Sequence, residues 1–368
     1  MQYCVRAASD RPNWLASITA ARITRGCEHV VFKRFIQIFV GFTVIAAAAI
    51  VAGLGFSYQQ LQQPLDLEQP ILFEVKRGMH ARTILEQLNT QGADIRVTPV
   101  YVASRLFDIP QRLQAGVYEI HPSDNVANVW RKLRQGEQYL FQVTLVEGRT
   151  FAEWLSILDQ ADRLIINDQG ADLATVIERL NERLGTTHTS FEGLLYPDTY
   201  KYTSGTKAID ILVKAYQRMQ SELTEIWAQR SGDLPYEKPY ELLIMASIIE
   251  KETGIGGERG KVSSVFINRL RKGMRLQSDP TTIYGIENFD GNLTRVHLRE
   301  LTPFNTYRID GLPPTPIAMP SRESLIAAAH PEQTDYYYFV ADGSGGHVFS
   351  KTLVEHNRAV NRYQRNQG

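Results

Sequence analysis

The sequence predicts an α+β protein with one transmembrane helix near its N-terminus, a small β-α-α-β unit and a larger domain of mixed α/β structure. The transmembrane helix is indicated by residues 35–57, none of which is charged. From residue 71 onward, short apolar runs typical of strands are interspersed with amphipathic segments typical of helices. With 368 residues, 43% of them hydrophobic, the chain can bury full cores in two or three domains.

The apolar run at residues 35–57 is long enough to cross a membrane, since about 23 residues rising 1.5 Å each cover the roughly 30 Å hydrocarbon core. It is too long for a signal-peptide core, and we interpret it as an uncleaved anchor. Basic residues precede it, at Arg6, Arg11, Arg22, Arg25, Lys33 and Arg34. Residues 58–70 contain no Lys or Arg and are rich in Gln and Pro, which predicts a linker. The positive-inside rule then places the tail, residues 1–34, in the cytoplasm and the rest of the chain outside it.

Charge, cysteine positions and the lack of certain motifs argue against nucleic acid, disulfides, metals and cofactors. The chain carries 40 basic and 40 acidic residues, so no basic excess is available to neutralise nucleic-acid phosphates. Both cysteines, Cys4 and Cys27, precede the apolar run, so the exported part relies on no disulfide. The histidines are scattered and form no His-Glu-x-x-His pattern, and no nucleotide-binding pattern occurs. We therefore predict no metal and no cofactor.

The small unit is predicted over residues 71–137. Its expected elements are a strand at 71–75, helices at 81–88 and 100–107, a strand at 116–120, and a helix at 126–133 that ends before Gly136. A β-α-α-β unit of this size is similar to the LysM-type modules that bind polymers containing N-acetylglucosamine. The alternative is a small α+β domain that only packs or acts as a spacer.

The larger domain is predicted over residues 138–368. It is expected to begin with a strand at 138–146, followed by helices at 151–158, 173–184, 208–227 and 258–272. Between the last two lies a helix at 242–253, in which every residue from Leu242 to Ile249 except Ser247 is apolar. Apolar residues all round a helix predict burial on most sides.

Glu250 follows this apolar run, on the same surface as Ala246 and Leu243. A carboxyl in such a place loses hydration, which raises its pKa and suits it to act as a general acid near neutral pH. An ion pair with Lys251 or Arg259 is the ordinary structural alternative. Glu252 also lies between apolar neighbours, and spacing alone does not choose between the two carboxyls.

Other segments offer candidate site residues with equally ordinary alternatives. Glu192 lies in a segment dense in aromatic and acidic residues, which is typical both of sugar-binding clefts and of packed loops. Asp279 stands in a Ser-Asp-Pro-Thr sequence that also suits a turn or a helix start. His347 follows a Gly-rich turn that can approach a ligand or simply join two strands of a hairpin.

Several motifs in order resemble those of the endolytic murein transglycosylases, the MltG or YceG-like family. They are the runs at 192–200 (EGLLYPDTY), 247–253 (SIIEKET), 265–270 (VFINRL), 277–281 (QSDPT), 305–307 (NTY), 311–314 (GLPP) and 345–349 (GGHVF). The resemblance extends from about residue 70 to 365. Several long motifs in one order are far more specific than any single short pattern.

The resemblance implies a lyase that cuts peptidoglycan glycan strands internally, close to the membrane and beside peptidoglycan synthases. It assigns catalysis to Glu250, and it places the enzyme in the inner membrane with its C-terminal domain in the periplasm. Supporting or substrate-binding roles are expected for Glu192, Gln277, Ser278, Asp279, Asn305 and Tyr307. Within this set, Gln277, Ser278 and Asp279 are expected to position substrate or hydrogen-bond Glu250, and Asn305 and Tyr307 to contact sugar rings.

Two other interpretations remain open at this point. If Asp279 lies opposite Glu250, the two carboxylates could act as a muramidase-type hydrolase, with water as the acceptor. Alternatively, the protein is a non-catalytic envelope component that binds glycan through its LysM-like unit.

Overall fold

The computed structural model describes residues 13–107, 113–166 and 172–365. Its contacts divide the chain into two compact units, one ending at Tyr139 and the other beginning at Leu140. Each unit has a hydrophobic core of its own.

The N-terminal helix is longer than the apolar run predicts. Helix α1 spans Asn13–Gln62, and its segment Lys33–Gln62 is long and apolar enough to cross a membrane. It therefore includes part of the predicted tail and the first residues of the predicted linker.

The first unit has the predicted order of elements. Strand β1 (Ile71–Val75), helices α2 (Ala81–Thr90) and α3 (Val97–Phe107), strand β2 (Gly116–Ile120) and helix α4 (Val126–Gln135) follow one another. The two strands pair antiparallel, with Ile71 opposite Ile120. Helix α4 stops where Gly136 adopts a left-handed backbone with φ 70°, as the sequence predicts.

Residues 58–70 differ from the expected free linker. Leu61, Leu65 and Leu67 are buried in the core of the first unit together with Phe73 and Trp130. Leu65 also donates its backbone N–H to the carbonyl of Asp124 at 2.8 Å. The residues between these three leucines, at 62–64 and 66, stay exposed, so the leucines gain the free energy of apolar burial while their polar neighbours keep their hydration.

The second unit is mostly helical. Its elements are β3 (Phe141–Leu145), α5 (Phe151–Asp159), α6 (Leu173–Leu184), β4 (Asp198–Tyr202), α7 (Ala208–Gln229), α8 (Pro239–Glu252), α9 (Arg259–Arg271), α10 (Asp279–Tyr284), α11 (Arg322–Ala329), β5 (Tyr338–Ala341), β6 (His347–Ser350) and α12 (Leu353–Val360). Strands β3 and β4 pair antiparallel, and β5 and β6 form a second antiparallel pair.

Strand β4 overlaps the end of the segment around Glu192, for which the sequence left a sugar-binding cleft and a packed loop as alternatives and predicted no strand. It pairs with β3, so that Phe141 faces Tyr202 and Leu145 faces Asp198. The pairing joins segments that are far apart in sequence, so no local sequence pattern predicts it.

Helix α8 is the centre of the second unit, as its apolar sequence predicts. All residues from Leu242 to Ile249 are buried, and helices α7, α9, α10 and α11 pack around it. The hydroxyl of Ser247 donates to the carbonyl of Ile244 at 2.7 Å and accepts the N–H of Ile317 at 3.0 Å. The one polar residue in the apolar run thus holds the loop before α11 against the helix.

Candidate active site

The carboxyl of Glu250 lies at the C-terminal end of α8, with only 6% of its side chain exposed. Its Oε2 atom accepts three hydrogen bonds: 2.9 Å from the N–H of Ser321, 2.5 Å from the hydroxyl of Ser321 and 2.7 Å from the hydroxyl of Ser324. Ser321 is the N-cap of α11, where unpaired backbone N–H groups and the helix dipole favour a negative charge. The lost hydration of the carboxylate is therefore replaced by fixed polar contacts.

The other oxygen of Glu250 faces a cation. Oε1 lies 3.7 Å from Nη2 of Arg259, whose side chain is 15% exposed. The Nε atom of Arg259 is buried and has no hydrogen-bond partner within the described ranges. The sequence suggested Lys251 or Arg259 as the ion-pair partner of Glu250, and the structure has Arg259 in that place. Lys251 instead donates to the carbonyl of Gly148 at 3.1 Å.

A turn at Gly148 closes one side of the site. Gly148 has φ +71°, and a Cβ atom at this position would lie 3.8 Å from Cγ of Glu250. Its N–H donates to the carbonyl of Met319 at 2.8 Å, and the N–H of Met319 donates to the carbonyl of Arg149 at 2.9 Å. The pairing holds the turn beside the loop that leads to Ser321.

Glu192 is bound at the end of the same turn. Its side chain is buried, with 4% of the residue exposed. Its two oxygens accept the N–H of Phe151, the first residue of α5, at 3.1 and 3.2 Å, and Oε2 also accepts the hydroxyl of Tyr284 at 3.1 Å. Burial raises the pKa of Glu192 to about 7, although these hydrogen bonds oppose the rise. The structure therefore brings Glu192 and Glu250 to one turn, residues 148–151.

Glu252 belongs to a different cluster. Its Oε1 atom accepts the hydroxyl of Ser278 at 2.5 Å. Burial raises the pKa of Glu252 to about 7, and the neighbouring charge of Asp279 adds to the rise. Asp279 itself accepts the hydroxyl of Tyr307 at 2.7 Å. Burial, and then this hydrogen bond, raise the pKa of Tyr307.

Residues 277–279 were expected to position substrate or to hydrogen-bond Glu250, and of these Ser278 donates its hydroxyl to Glu252 instead. The two carboxyls lie two residues apart near the end of a helix, so their side chains point to different neighbours. Gln277 is exposed, with its backbone at φ 54°, and its N–H donates to the carbonyl of Thr306 at 3.2 Å. Gln277 and Asp279 remain accessible from solvent, whereas Ser278 is 1% exposed.

Asn305, which was expected to contact sugar, lies inside the protein. Asn305 is 0% exposed, and its amide is used internally. The Nδ2 atom donates to the carbonyls of His297 and Glu300, and Oδ1 accepts the hydroxyl of Thr282 and the N–H of Tyr307. Asn305 therefore fixes the loop that presents Tyr307.

His347 is held by a carboxylate at the start of β6. Its N–H donates to Oε1 of Glu258 at 3.0 Å, and its Nδ1 lies 2.8 Å from Oε2 of the same residue. The Gly-rich segment before it joins β5 and β6 as a hairpin. In the part of the chain that is described, no three His, Cys, Asp or Glu side chains are grouped as a metal site would need.

Ser321 and Ser324 are the site residues that sequence reasoning missed. A serine at 321 before a helical segment is a recognisable N-cap pattern. That pattern locates the start of a helix, but it does not indicate that the hydroxyls of Ser321 and Ser324 meet a carboxyl some seventy residues earlier in the chain.

The chain belongs to the YceG-like family, whose model matches residues 73–362. The resemblance seen in the sequence motifs is therefore confirmed.

Named relatives are similar over much of the chain. An endolytic murein transglycosylase of Bacillus subtilis is 33% identical over 265 residues, which cover 68% of this chain and 73% of the relative. An endolytic murein transglycosylase of Streptococcus pneumoniae is 24% identical over 361 residues, covering 88% of this chain but only 65% of the relative. The crystal structure of a yceG-like protein from Listeria monocytogenes, 28% identical, covers 79% of this chain and 99% of its own, with a TM-score of 0.47.

Proposed function

We propose that the protein is a lyase, an endolytic lytic transglycosylase that cuts peptidoglycan glycan strands at the bond between N-acetylmuramic acid and N-acetylglucosamine. Membership of the YceG-like family and the names of two relatives support the activity and its substrate class. Glu250 is proposed as the general acid and base.

One observation carries the assignment to Glu250: its two oxygens have unequal surroundings. Oε2 accepts three hydrogen bonds from Ser321 and Ser324, whereas the neighbour of Oε1 is Arg259, at a distance too long for a good hydrogen bond. The three bonds fix the orientation of the carboxyl, which proton transfer requires. Oε1 is then the oxygen that exchanges a proton with substrate.

The proposed reaction needs one carboxyl acting twice. Glu250 first gives a proton to the glycosidic oxygen, and the bond from that oxygen to C1 of N-acetylmuramic acid breaks. The C6 hydroxyl of the same sugar then attacks C1 and returns its proton to Glu250, leaving a 1,6-anhydro end. The nucleophile is already tethered to the reacting sugar, so its approach costs little translational entropy.

A hydrolase with Asp279 as the second carboxylate has less support. Asp279 is bound to Tyr307 and is coupled electrostatically to Glu252, so its contacts place it with the other cluster. We assign Gln277, Asp279 and Tyr307 to substrate positioning, and Glu192 to support of the turn at residues 148–151.

The remaining parts of the chain are proposed to hold this site against nascent peptidoglycan. Helix α1 would anchor the protein in the inner membrane, with its N-terminus in the cytoplasm and the second unit in the periplasm. Residues 71–137 would act as a LysM-like glycan-binding module. In this arrangement the enzyme would work beside peptidoglycan synthases, and its cleavage would end the elongation of a strand.

The test is mass spectrometry of the products formed from uncross-linked glycan strands by the full chain in detergent micelles, compared with Glu250→Gln. We expect anhydro-terminated fragments from the wild type and intact strands from the variant. Fragments with hydrolysed reducing ends would show that the enzyme is a hydrolase. Intact strands with the wild type, or unchanged cleavage by Glu250→Gln, would contradict the proposal.

A further inference from the structure

An apolar surface of the first unit lies directly beside the point where α1 leaves its apolar segment. Three large apolar side chains at the C-terminal half of α3 are exposed, Val102, Leu106 and Phe107, with exposed fractions of 46%, 58% and 47%. We call these three residues the α3 patch. Soluble proteins seldom leave large apolar side chains grouped in water without a partner.

The α3 patch is tied to α1 by an aromatic contact. The rings of Tyr58 and Phe107 are 5.6 Å apart in an edge-to-face arrangement. Tyr58 follows Ser57, the last residue of the predicted transmembrane segment, and it is itself half exposed. Tyrosine at such a boundary is typical of the aromatic belt of membrane-spanning helices.

The first unit has little freedom to move away from this boundary. Helix α1 continues without a break to Gln62, and Leu61, in its last turn, is buried in the core of the unit. At a rise of 1.5 Å per residue, Leu61 lies about 5 Å along the helix from Tyr58. A tilt of α1 only brings these residues nearer to the membrane surface.

The 5.6 Å between the rings of Tyr58 and Phe107 and the rise of about 5 Å from Tyr58 to Leu61 both match the thickness of the headgroup layer. That layer is about 5–7 Å thick on each side of the hydrocarbon core. If Tyr58 lies at the edge of the hydrocarbon, the ring of Phe107 lies within that layer. Leu106 adjoins Phe107 on the exposed side of α3, and Arg105, also exposed, can reach lipid phosphates with its long side chain.

We infer that the α3 patch docks the first unit onto the lipid surface from which α1 emerges, with Leu106 and Phe107 inserted among the headgroups. The inference rests on the membrane anchor of the proposed function and goes beyond it, because it makes the unit a peripheral membrane module instead of a domain on a free tether. The occupant is the bilayer, and continuity with α1 is the observation that selects it.

The experiment measures the membrane depth of nitroxide labels by the ratio of their collisions with oxygen and with a water-soluble nickel chelate. The full chain, with Cys4→Ser and Cys27→Ser, is reconstituted in vesicles of phosphatidylethanolamine and phosphatidylglycerol. Single cysteines are introduced as Leu106→Cys, Ile45→Cys and Leu72→Cys. Ile45 lies within the apolar segment, and Leu72 is as exposed as the α3 patch, at 48%, but points away from the core face of β1.

We expect a deep label at position 45, a label in the headgroup layer at position 106, and an aqueous label at position 72. A label at 106 as aqueous as that at 72, with 45 deep, would overturn the docking surface and leave the anchor intact. An aqueous label at position 45 would instead overturn the anchor, and the docking surface with it.

Discussion

The hydroxyl of Ser324 offers the sharpest test of how the carboxyl of Glu250 is held. Ser324 is 0% exposed, and its hydroxyl donates to Oε2 of Glu250 at 2.7 Å. Ser324→Ala removes this one hydrogen bond without adding bulk. A hydrogen bond to a charged group contributes about 1.5–3 kcal/mol, and 1.36 kcal/mol is a tenfold change in rate.

If that bond orients Glu250 in the transition state, kcat should fall by about 10- to 150-fold with little change in KM. The lower end of the range is expected because Ser321 still donates twice to the same oxygen. The assay is steady-state release of fragments from uncross-linked glycan strands, with the free energy of unfolding measured in parallel.

Ser263→Ala is the matched control. Ser263 is equally buried, on α9, but its hydroxyl has no hydrogen-bond partner in the described part of the chain. This variant should keep the wild-type kcat, and its stability should be unchanged or slightly higher. A wild-type kcat in Ser324→Ala, or equal losses in both variants, would refute the orienting role.

Two further predictions concern stability. The pKa of Glu192, raised from the ordinary 4.5 to about 7, means that the folded state binds more protons than the unfolded state between these values, so stability should fall as pH rises through this window. Glu192→Gln should reduce this fall, measured as the difference between the free energies of urea unfolding at pH 5 and at pH 8, by about 2–3 kcal/mol. An unchanged difference would contradict the burial argument. Gly193→Ala should destabilise by more than about 2 kcal/mol, because Gly193 has φ +74° and a Cβ would lie 2.4 Å from Cβ of Pro316. Gly185→Ala, with φ +66° and no atom within 4 Å, is the control and should cost only about 1–2 kcal/mol in unfolding experiments.

Local patterns predicted those parts of the fold that local physics controls. The apolar run from Leu242 to Ile249 specifies a helix buried on most sides, and the structure has it. Gly136 ends a helical segment with a left-handed backbone, as its position predicts. Strand β4 and helices α11 and α12 were not predicted, because β4 depends on pairing with a distant strand and the two helices are short.

The candidate site divides in the same way. The sequence singled out Glu250 by its apolar neighbours and by a family motif, and it kept Glu252 as an equal on spacing alone. The structure separates the two carboxyls: Glu250 lies against the N-terminus of α11, and Glu252 against Ser278. Asn305 was expected to meet sugar but is fully buried, and its amide hydrogen-bonds four groups of the protein itself.

The sequence by itself determined the apolar N-terminal helix, the β-α-α-β order of the first unit, the central buried helix of the second, and the family. These follow from hydrophobic periodicity, helix signals and ordered motifs, which operate within a few turns of the chain. Only the tertiary structure decided which groups surround Glu250, because they come from three separate places along the chain: Gly148, Arg259, and the start of α11 with Ser321 and Ser324. A buried carboxyl acquires its chemistry from such neighbours, and only folding brings them together.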